Sequence, residues 1–303
     1  MLFLKYCRRG LGISISAAAI VVQLAGISVA EVNDEVLNKP ASEAVTDSGQ
    51  IMATQPAQPD RITAEYVKGY FSDSGRILAS PVNWNSSDWL KTALVAGAAS
   101  GLYFADADIK GFSQRNQSSA GDKVAAVGNA LGNPFYTVPS LGLFYLYGHF
   151  NEDPKARRTS LLAVESLAIS GVLTLTIKMA TQRSRPSSGE ASTTWDGPGF
   201  KNSDSSFPSL HTTSAFSIAA VFAEEYGSSP YVPPIAYGLA ALTGLSRIYD
   251  NKHWASDAFF GGAIGYFVGK AVVRYHAVLS DTPLMIMPTV TKQGFGVMAE
   301  YRF

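Results

Sequence analysis

Cysteine is almost absent from this sequence, and its scarcity excludes several kinds of chemistry. The 303 residues contain one cysteine, Cys7. It precedes the apolar run of an N-terminal segment that we expect to be removed. The mature chain would then carry no thiol, which excludes disulfide bonds and cysteine catalysis.

Charge is also scarce. Charged residues make up 16% of the chain, and 24 Lys and Arg balance 24 Asp and Glu, so the net charge is zero. A chain without excess positive charge has no general attraction to nucleic acid, so no nucleic-acid partner is expected. Hydrophobic residues reach 47%, which is high for a soluble protein and low for one with many membrane spans.

The N-terminal region has the pattern of an exported protein. Residues 1–30 predict a signal peptide, with a basic start, an apolar run over Leu11–Ile27 and small residues at Ser28-Val29-Ala30 before the cleavage point. An uncleaved anchor helix is the alternative. Residues 31–60 are polar and without periodicity, which indicates a flexible linker. We therefore expect export to the periplasm of a Gram-negative-type cell.

The rest of the chain predicts an all-α fold, a compact bundle of about six helices over residues 61–280. A short amphipathic helix and a loop are expected first, within Ile62–Trp89. No strand-like alternation interrupts the segments that follow, and all are rich in Ala, Gly, Leu and Ile. They are roughly Asp88–Ala105, Lys123–His149, Arg158–Thr181, His211–Tyr226, Tyr231–Ile248 and Trp254–Val278. Residues 281–303 carry β-type residues around a Gly-Phe-Gly turn and predict a short C-terminal hairpin.

These helices make marginal membrane spans. A span needs about 20 predominantly apolar residues. Val124–Phe150 has no charged residue but contains two prolines, Arg158–Thr181 contains Glu165, and the last segment contains Lys270 and Arg274. We favour a periplasmic helical domain. An integral or peripheral protein of the envelope membrane, with membrane-surface contact, is the alternative.

Three short stretches carry the candidate chemistry. Lys178–Pro186 reads KMATQRSRP, Phe207–His211 reads FPSLH, and Ser246–Asp257 reads SRIYDNKHWASD. In the third stretch, a helix beginning near His253 would put His253 and Asp257 on one face. A carboxylate there can fix the imidazole tautomer and leave the other nitrogen free to react. The cations of the three stretches suit an oxyanion such as phosphate.

In this order the three stretches resemble the motifs of the type 2 phosphatidic acid phosphatase superfamily. That superfamily also contains bacterial non-specific acid phosphatases and vanadium haloperoxidases. The resemblance extends over roughly Asp88–Tyr275 and implies the all-α fold of the family. It also implies a phosphoric monoester hydrolase that works through a phosphohistidine intermediate, without a metal or other cofactor. Vanadate could occupy such a site as a phosphate mimic.

The resemblance also implies roles for individual residues. His253 would be the nucleophile, Asp257 would hold it in its reactive tautomer, and His211 would protonate the leaving group and then activate water. The phosphate-binding residues would be Lys178, Arg185, Ser209, Leu210 and Arg247. Leu210 stands where the family has glycine, so we expect a narrower pocket and an altered substrate range.

Several alternatives stay open. The substrate could be a lipid phosphate, either phosphatidate-like or isoprenoid, or a broad set of small phosphate esters. A vanadium-dependent haloperoxidase and a non-catalytic phosphate-binding envelope protein are the competing functions. The sequence specifies no oligomeric state. Arg183 could form a solvated pair with Arg185. Asp106 and Asp108 are interpreted as solvated loop residues rather than metal ligands. Trp195 could contact either the substrate or the domain.

Overall fold

The computed structural model describes residues 60–200, 205–281, 284–291 and 294–301. The predicted signal peptide and nearly all of the predicted linker lie outside these residues. Most of the described chain is helical, which confirms the predicted all-α class. The helices, in chain order, are α1 Ala64–Ala79, α2 Ser86–Arg115, α3 Ser119–Gly132, α4 Pro134–Phe150, α5 Pro154–Thr181, α6 Leu210–Glu225, α7 Val232–Tyr249 and α8 Ala255–Asp281.

Eight helices in the described residues exceed the predicted number of about six. One reason is α1, which lies in the segment where only a short amphipathic helix was expected. The other is a break in the predicted segment Lys123–His149, so that prediction of one helix is wrong. Asn133 ends α3 and also caps α4 by accepting a hydrogen bond from Phe135 N at 3.0 Å. Pro134 has no backbone N–H and disfavours helical geometry in the residue before it, so the chain turns at this point.

Two strands follow α8. They are β1 Leu284–Thr291 and β2 Gly294–Tyr301, which pair antiparallel from Leu284 opposite Tyr301 to Thr291 opposite Gly294. They form a two-stranded sheet with a short connection. The rest of the fold is therefore helix packed on helix.

The centre of the bundle is formed by α5, α6 and α8. Leu162 of α5, Val221 of α6 and Val272 of α8 are fully buried against one another in the core. Three of the described helices thus meet along one apolar seam, and their ends on one side carry the sequence motifs.

Helices α6 and α8 approach one another closely along a row of glycines. A Cβ atom at Gly261 would lie 2.6 Å from Ser209 O, one at Gly265 would lie 2.2 Å from Thr213 O, and one at Gly269 would lie 2.7 Å from Ser217 O. These separations are too short for any side chain. The glycines therefore let the two backbones touch, which fixes the start of α6 against the start of α8.

Among the described residues, α5 is the one helix that is long and apolar enough to cross a membrane. Half of its most apolar window is buried inside the bundle. A central helix of a soluble domain meets the same criterion.

We predict that Gly265→Ala lowers stability, because the added methyl group would overlap the Thr213 carbonyl. Overpacking of this kind costs about 1–3 kcal/mol. The measurement is the thermal unfolding midpoint, followed by circular dichroism. Gly238→Ala on α7 is the matched control, since no atom lies within 4 Å of the position of its Cβ. Equal midpoints for the two variants would contradict the close approach.

Candidate active site

The three motifs meet at one end of the bundle. Lys178 lies in the last turn of α5, Ser209 caps the start of α6, and Asp257 lies in the first turn of α8. Ser209 N donates to Asp257 O at 3.1 Å, which joins the starts of α6 and α8 directly. Helix α8 begins at Ala255, within the third motif, so His253 lies just outside the helix. Three helix ends thus bring together residues that are far apart in the chain.

A hydroxyl group lies between the predicted nucleophile and its predicted carboxylate. His253 Nδ1 is 4.0 Å from Asp257 Oδ2, which is too long for a hydrogen bond. Ser206 Oγ is 3.4 Å from His253 Nδ1 and donates to Asp257 Oδ2 at 2.5 Å. All three side chains are buried. Asp257 therefore reaches His253 through Ser206, and Nδ1 of the imidazole faces this pair.

Asp257 is held from the other side by Arg183. Arg183 Nη1 donates to Asp257 Oδ1 at 2.5 Å, and Arg183 Nη2 donates to Asp106 Oδ2 at 2.7 Å. Trp254 N also donates to Asp257, at 3.0 Å. Burial raises the pKa of Asp257, and the Arg183 guanidinium opposes that shift. The carboxylate thus accepts hydrogen bonds on both oxygens, and its orientation is fixed.

The structure rules out one alternative and one interpretation for this region. Arg183 is completely buried and is no part of a solvated pair. Asp106 is also buried, lies within α2 rather than a loop, and accepts bonds from the backbone and side chain of Ser256 at 2.9 and 2.6 Å. Burial explains both errors, because a buried charge must be paired and the sequence does not show the partner.

Arg183 also anchors the loop between the first two motifs. It donates to Ser192 O at 2.9 and 2.7 Å. Its guanidinium lies 4.8 Å from the ring centroid of Tyr103 and 5.1 Å from that of Trp195. The sequence did not decide whether Trp195 contacts the substrate or the domain. In the structure Trp195 packs on the domain, against the rings of Tyr103 and Phe207.

The predicted phosphate-binding cations surround the imidazoles. Lys178 Nζ donates to Ser205 O at 2.7 Å, and Arg185 Nη1 donates to Lys252 O at 3.4 Å. Arg247 donates to Asn129 Oδ1, and its Nε is buried without a hydrogen-bond partner among the described residues. Carbonyl oxygens thus help to position all three side chains.

The electrostatics of the site favour an anion. Burial, and then the charges of Arg247, Arg185 and Lys178, lower the pKa of His211 to about 4. Burial likewise holds the pKa of His253 well below its usual range, aided by the same three cations. The pKa of Lys178 falls to about 8, chiefly because of burial and then because of Arg185. Both imidazoles are therefore neutral at pH 7, beside concentrated positive charge that suits an oxyanion better than a metal ion.

Ser209 and Leu210 occupy the start of α6. Ser209 is buried, and its hydroxyl caps the helix by accepting from Thr212 N at 3.5 Å and from Thr212 Oγ1 at 2.9 Å. Leu210 is the first residue of the helix and half-buried. Its φ is not among the positive values of the described residues. Leucine therefore adopts this backbone conformation without strain, although the family has glycine at this position. The Leu210 N–H lies in the first turn of the helix, where backbone N–H groups have no partner within the helix.

Two further residues escaped the sequence analysis. Ser206 bridges His253 and Asp257, and its only signal is its place directly before Phe207-Pro208. Asn129 of α3 accepts from Arg247 and also from Ser246 Oγ at 3.2 Å. No motif marks Asn129, because its role arises from the packing of α3 on α7.

A family model matches this region. Residues 159–280 match the model described as the PAP2 superfamily. The matched range contains all three motifs.

One curated relative is the lipid A 1-phosphatase of Porphyromonas gingivalis, which is 50% identical over 66 residues. The alignment covers 22% of this chain and 15% of the relative, so the chain spans only a small part of the relative's length.

Two crystal structures are also similar. Aquifex aeolicus LpxE aligns with 21% identity and a TM-score of 0.44, over 56% of this chain and 95% of LpxE. The transmembrane PAP2 type phosphatidylglycerolphosphate phosphatase from Bacillus subtilis aligns with 18% identity and a TM-score of 0.47, over 71% of this chain and 96% of that one.

We predict that Arg183→Met destabilises the chain by about 3–5 kcal/mol, because it leaves two buried carboxylates without their partner. Arg185→Met is the matched control two residues away. The Arg185 side chain is only partly buried, so a smaller loss is expected. Denaturant unfolding at pH 7 measures both variants. If Arg185→Met is the more damaging, the structural role assigned to Arg183 is wrong.

Proposed function

We propose that this chain, whose residues 159–280 match the PAP2 superfamily model, is a phosphatase that hydrolyses the phosphate monoester of a lipid. The observation that carries the proposal is the convergence of Lys178, Arg185 and Arg247 on two neutral imidazoles. One of these, His253, is backed by Ser206 and Asp257. A phosphoryl group carries the negative charge that such a group of cations attracts.

The phosphate would bind where the three cations and the start of α6 converge. Lys178, Arg185 and Arg247 would neutralise its non-bridging oxygens. The backbone N–H groups at Leu210 and His211 lie in the first turn of α6, where the helix dipole favours an anion. The buried Nε of Arg247 would find its partner there.

His253 would then attack phosphorus through Nε2. Its Nδ1 faces Ser206, so the proton resides on Nδ1 and Nε2 carries the free electron pair. As the N–P bond forms, the bond to the leaving oxygen breaks and the imidazole gains positive charge. Asp257 would stabilise that charge through the Ser206 hydroxyl, which accepts from Nδ1 and donates to the carboxylate.

His211 would supply the proton to the leaving oxygen. Its pKa of about 4 in the empty site leaves it neutral at pH 7. A bound phosphate dianion offsets the three cations that help lower this pKa, so substrate binding favours protonation of His211. In the second step, His211 would remove a proton from water, which attacks phosphorus and breaks the N–P bond to release phosphate. Protein groups account for every proton, so this sequence of steps requires no metal.

A lipid substrate is supported by an apolar cavity beside His211. It has a volume of about 630 Å³ and is lined almost wholly by apolar side chains of α3, α4, α6 and α7, among them Leu131, Phe144, Ala215 and Leu239. Ala215 lies one helical turn after His211. A Cβ atom at Gly132, next to Leu131, would lie 3.0 Å from His211 Cβ. An acyl or isoprenoid chain in this cavity would place its phosphate at the cations.

The relative and the surface of the bundle agree with a lipid substrate. The partly matching relative is named for a phosphate on lipid A. Phe104, Phe135, Leu143 and Phe150 are large apolar side chains that are each more than two-thirds exposed. Entry of such exposed apolar side chains into a membrane removes apolar surface from water, which is favourable. We therefore place the enzyme at the envelope membrane, with its site on the periplasmic side.

We predict that the full chain hydrolyses p-nitrophenyl phosphate in excess EDTA. His253→Ala should lower turnover by about 10³-fold or more, and His211→Gln by about 10²–10⁴-fold, because each removes a group that takes part in bond making or proton transfer. His149→Ala alters an exposed histidine and should leave the rate unchanged. Phosphate release is the readout.

Two other outcomes would contradict the proposed site or the proposed activity. A rate that is unaffected by His253→Ala would show that the site lies elsewhere. Halide oxidation with added vanadate, without phosphate release, would favour the haloperoxidase alternative.

We also predict that Ser140→Trp lowers kcat/KM for a long-chain lipid phosphate while hydrolysis of p-nitrophenyl phosphate is unchanged. Ser140 is exposed and lines the apolar cavity from α4, so a tryptophan there fills space without disturbing the core. Leu143→Trp is the control on the same helix, at an exposed position outside the cavity. Parallel loss of both activities would mean that the cavity does not hold the lipid chain.

A further inference from the structure

A second cluster of ionisable side chains lies deep in the bundle, far from the phosphate site. Asp73 of α1, Glu165 of α5 and His276 of α8 are all buried. Glu165 and Lys178 lie on the same helix, separated by about 20 Å at a rise of 1.5 Å per residue. The cluster therefore takes no part in the chemistry described above.

The three side chains have the spacing of metal ligands. His276 Nε2 lies 2.9 Å from Glu165 Oε2 and 3.4 Å from Asp73 Oδ2. One ligand atom from each residue lies within 4.8 Å of the others. Ligand atoms bonded to a tetrahedral Zn²⁺ at 2.0–2.1 Å lie about 3.3 Å apart. The observed separations bracket that value.

The protein leaves the charge of this cluster unbalanced. Glu165 is completely buried, and its Oε1 has no hydrogen-bond partner among the described residues. Its other oxygen, Oε2, accepts from Tyr66 OH at 2.8 Å. Besides His276, the cation paired with Asp73 is Arg76, whose side chain is 46% exposed and therefore weakly effective. Two buried carboxyl groups thus lie close to one another.

We propose that Asp73, Glu165 and His276 bind a divalent transition-metal ion, with Zn²⁺ as the best fit. A set of one imidazole nitrogen and two carboxylate oxygens is typical of zinc ligands. The ion supplies the missing positive charge. It could also bond the unpartnered Oε1, so that the Glu165 carboxylate coordinates through both of its oxygens. Tyr66 orients the Glu165 carboxylate. The ion would join α1 to α5 and α8, so its role is structural.

The test uses the full chain, stripped of metal with EDTA, dialysed and titrated with Zn²⁺ at pH 7.5 in an isothermal calorimeter. The wild type should bind one equivalent, with a matching rise in the thermal unfolding midpoint, whereas Mg²⁺ should give neither signal. Glu165→Gln and His276→Gln should each weaken this binding by about 100-fold or more, since each removes a ligand. His149→Gln removes an exposed histidine outside the cluster and should bind as the wild type does.

The wild-type titration decides the proposal even if a variant fails to fold. A wild type that takes up no Zn²⁺ overturns it and leaves the cluster as a network of hydrogen bonds that shares protons. Full binding by folded His276→Gln, or loss of binding in His149→Gln, overturns it as well. Zn²⁺ should change the unfolding midpoint without changing the rate of p-nitrophenyl phosphate hydrolysis, which separates this site from the phosphate site.

Discussion

The buried Arg183 guanidinium is the interaction on which the candidate active site depends. It bonds the carboxylates of Asp257 and Asp106 and the carbonyl of Ser192, so it joins the start of α8, the middle of α2 and the loop between the first two motifs. Two negative charges and one positive charge in a dry environment hold one another in place, because separating them would leave a bare charge. Three separate parts of the chain are thereby held in fixed positions relative to one another.

The phosphate pocket has the opposite character. Here Lys178, Arg185 and Arg247 lie near two buried imidazoles, and burial together with these charges keeps both imidazoles neutral. A phosphate dianion in the proposed site would offset the mutual repulsion of the cations. The ion-paired Arg183 holds the neighbouring elements rigid, so the site needs little reorganisation when an anion binds. Arg183 thus has a structural role, whereas the binding role is proposed for Arg185, two positions further along the chain.

The sequence was sufficient for the helical class and for the residues of the three motifs, because periodicity and spacing are local properties. It was not sufficient for contacts made across the bundle. Arg183 and Asp106 have the composition of solvated surface residues, and only packing shows that they are paired in the core. Ser206 lay one residue outside a motif, and Asn129 carried no signal at all. The break at Asn133-Pro134 could have been found from the proline, but the apolar pattern on both sides concealed it.

The helix α1 has a consequence for how the domain could be joined to other parts. Asp73 of α1 meets His276 near the end of α8, and Arg157 at the start of α5 bonds Asp60. The start of α5 lies about 30 Å from Lys178 along the helix. The two ends of the helical domain therefore lie side by side, remote from the candidate active site. A tether, a fused domain or a membrane anchor could be attached at either end and leave the approach of a substrate unobstructed.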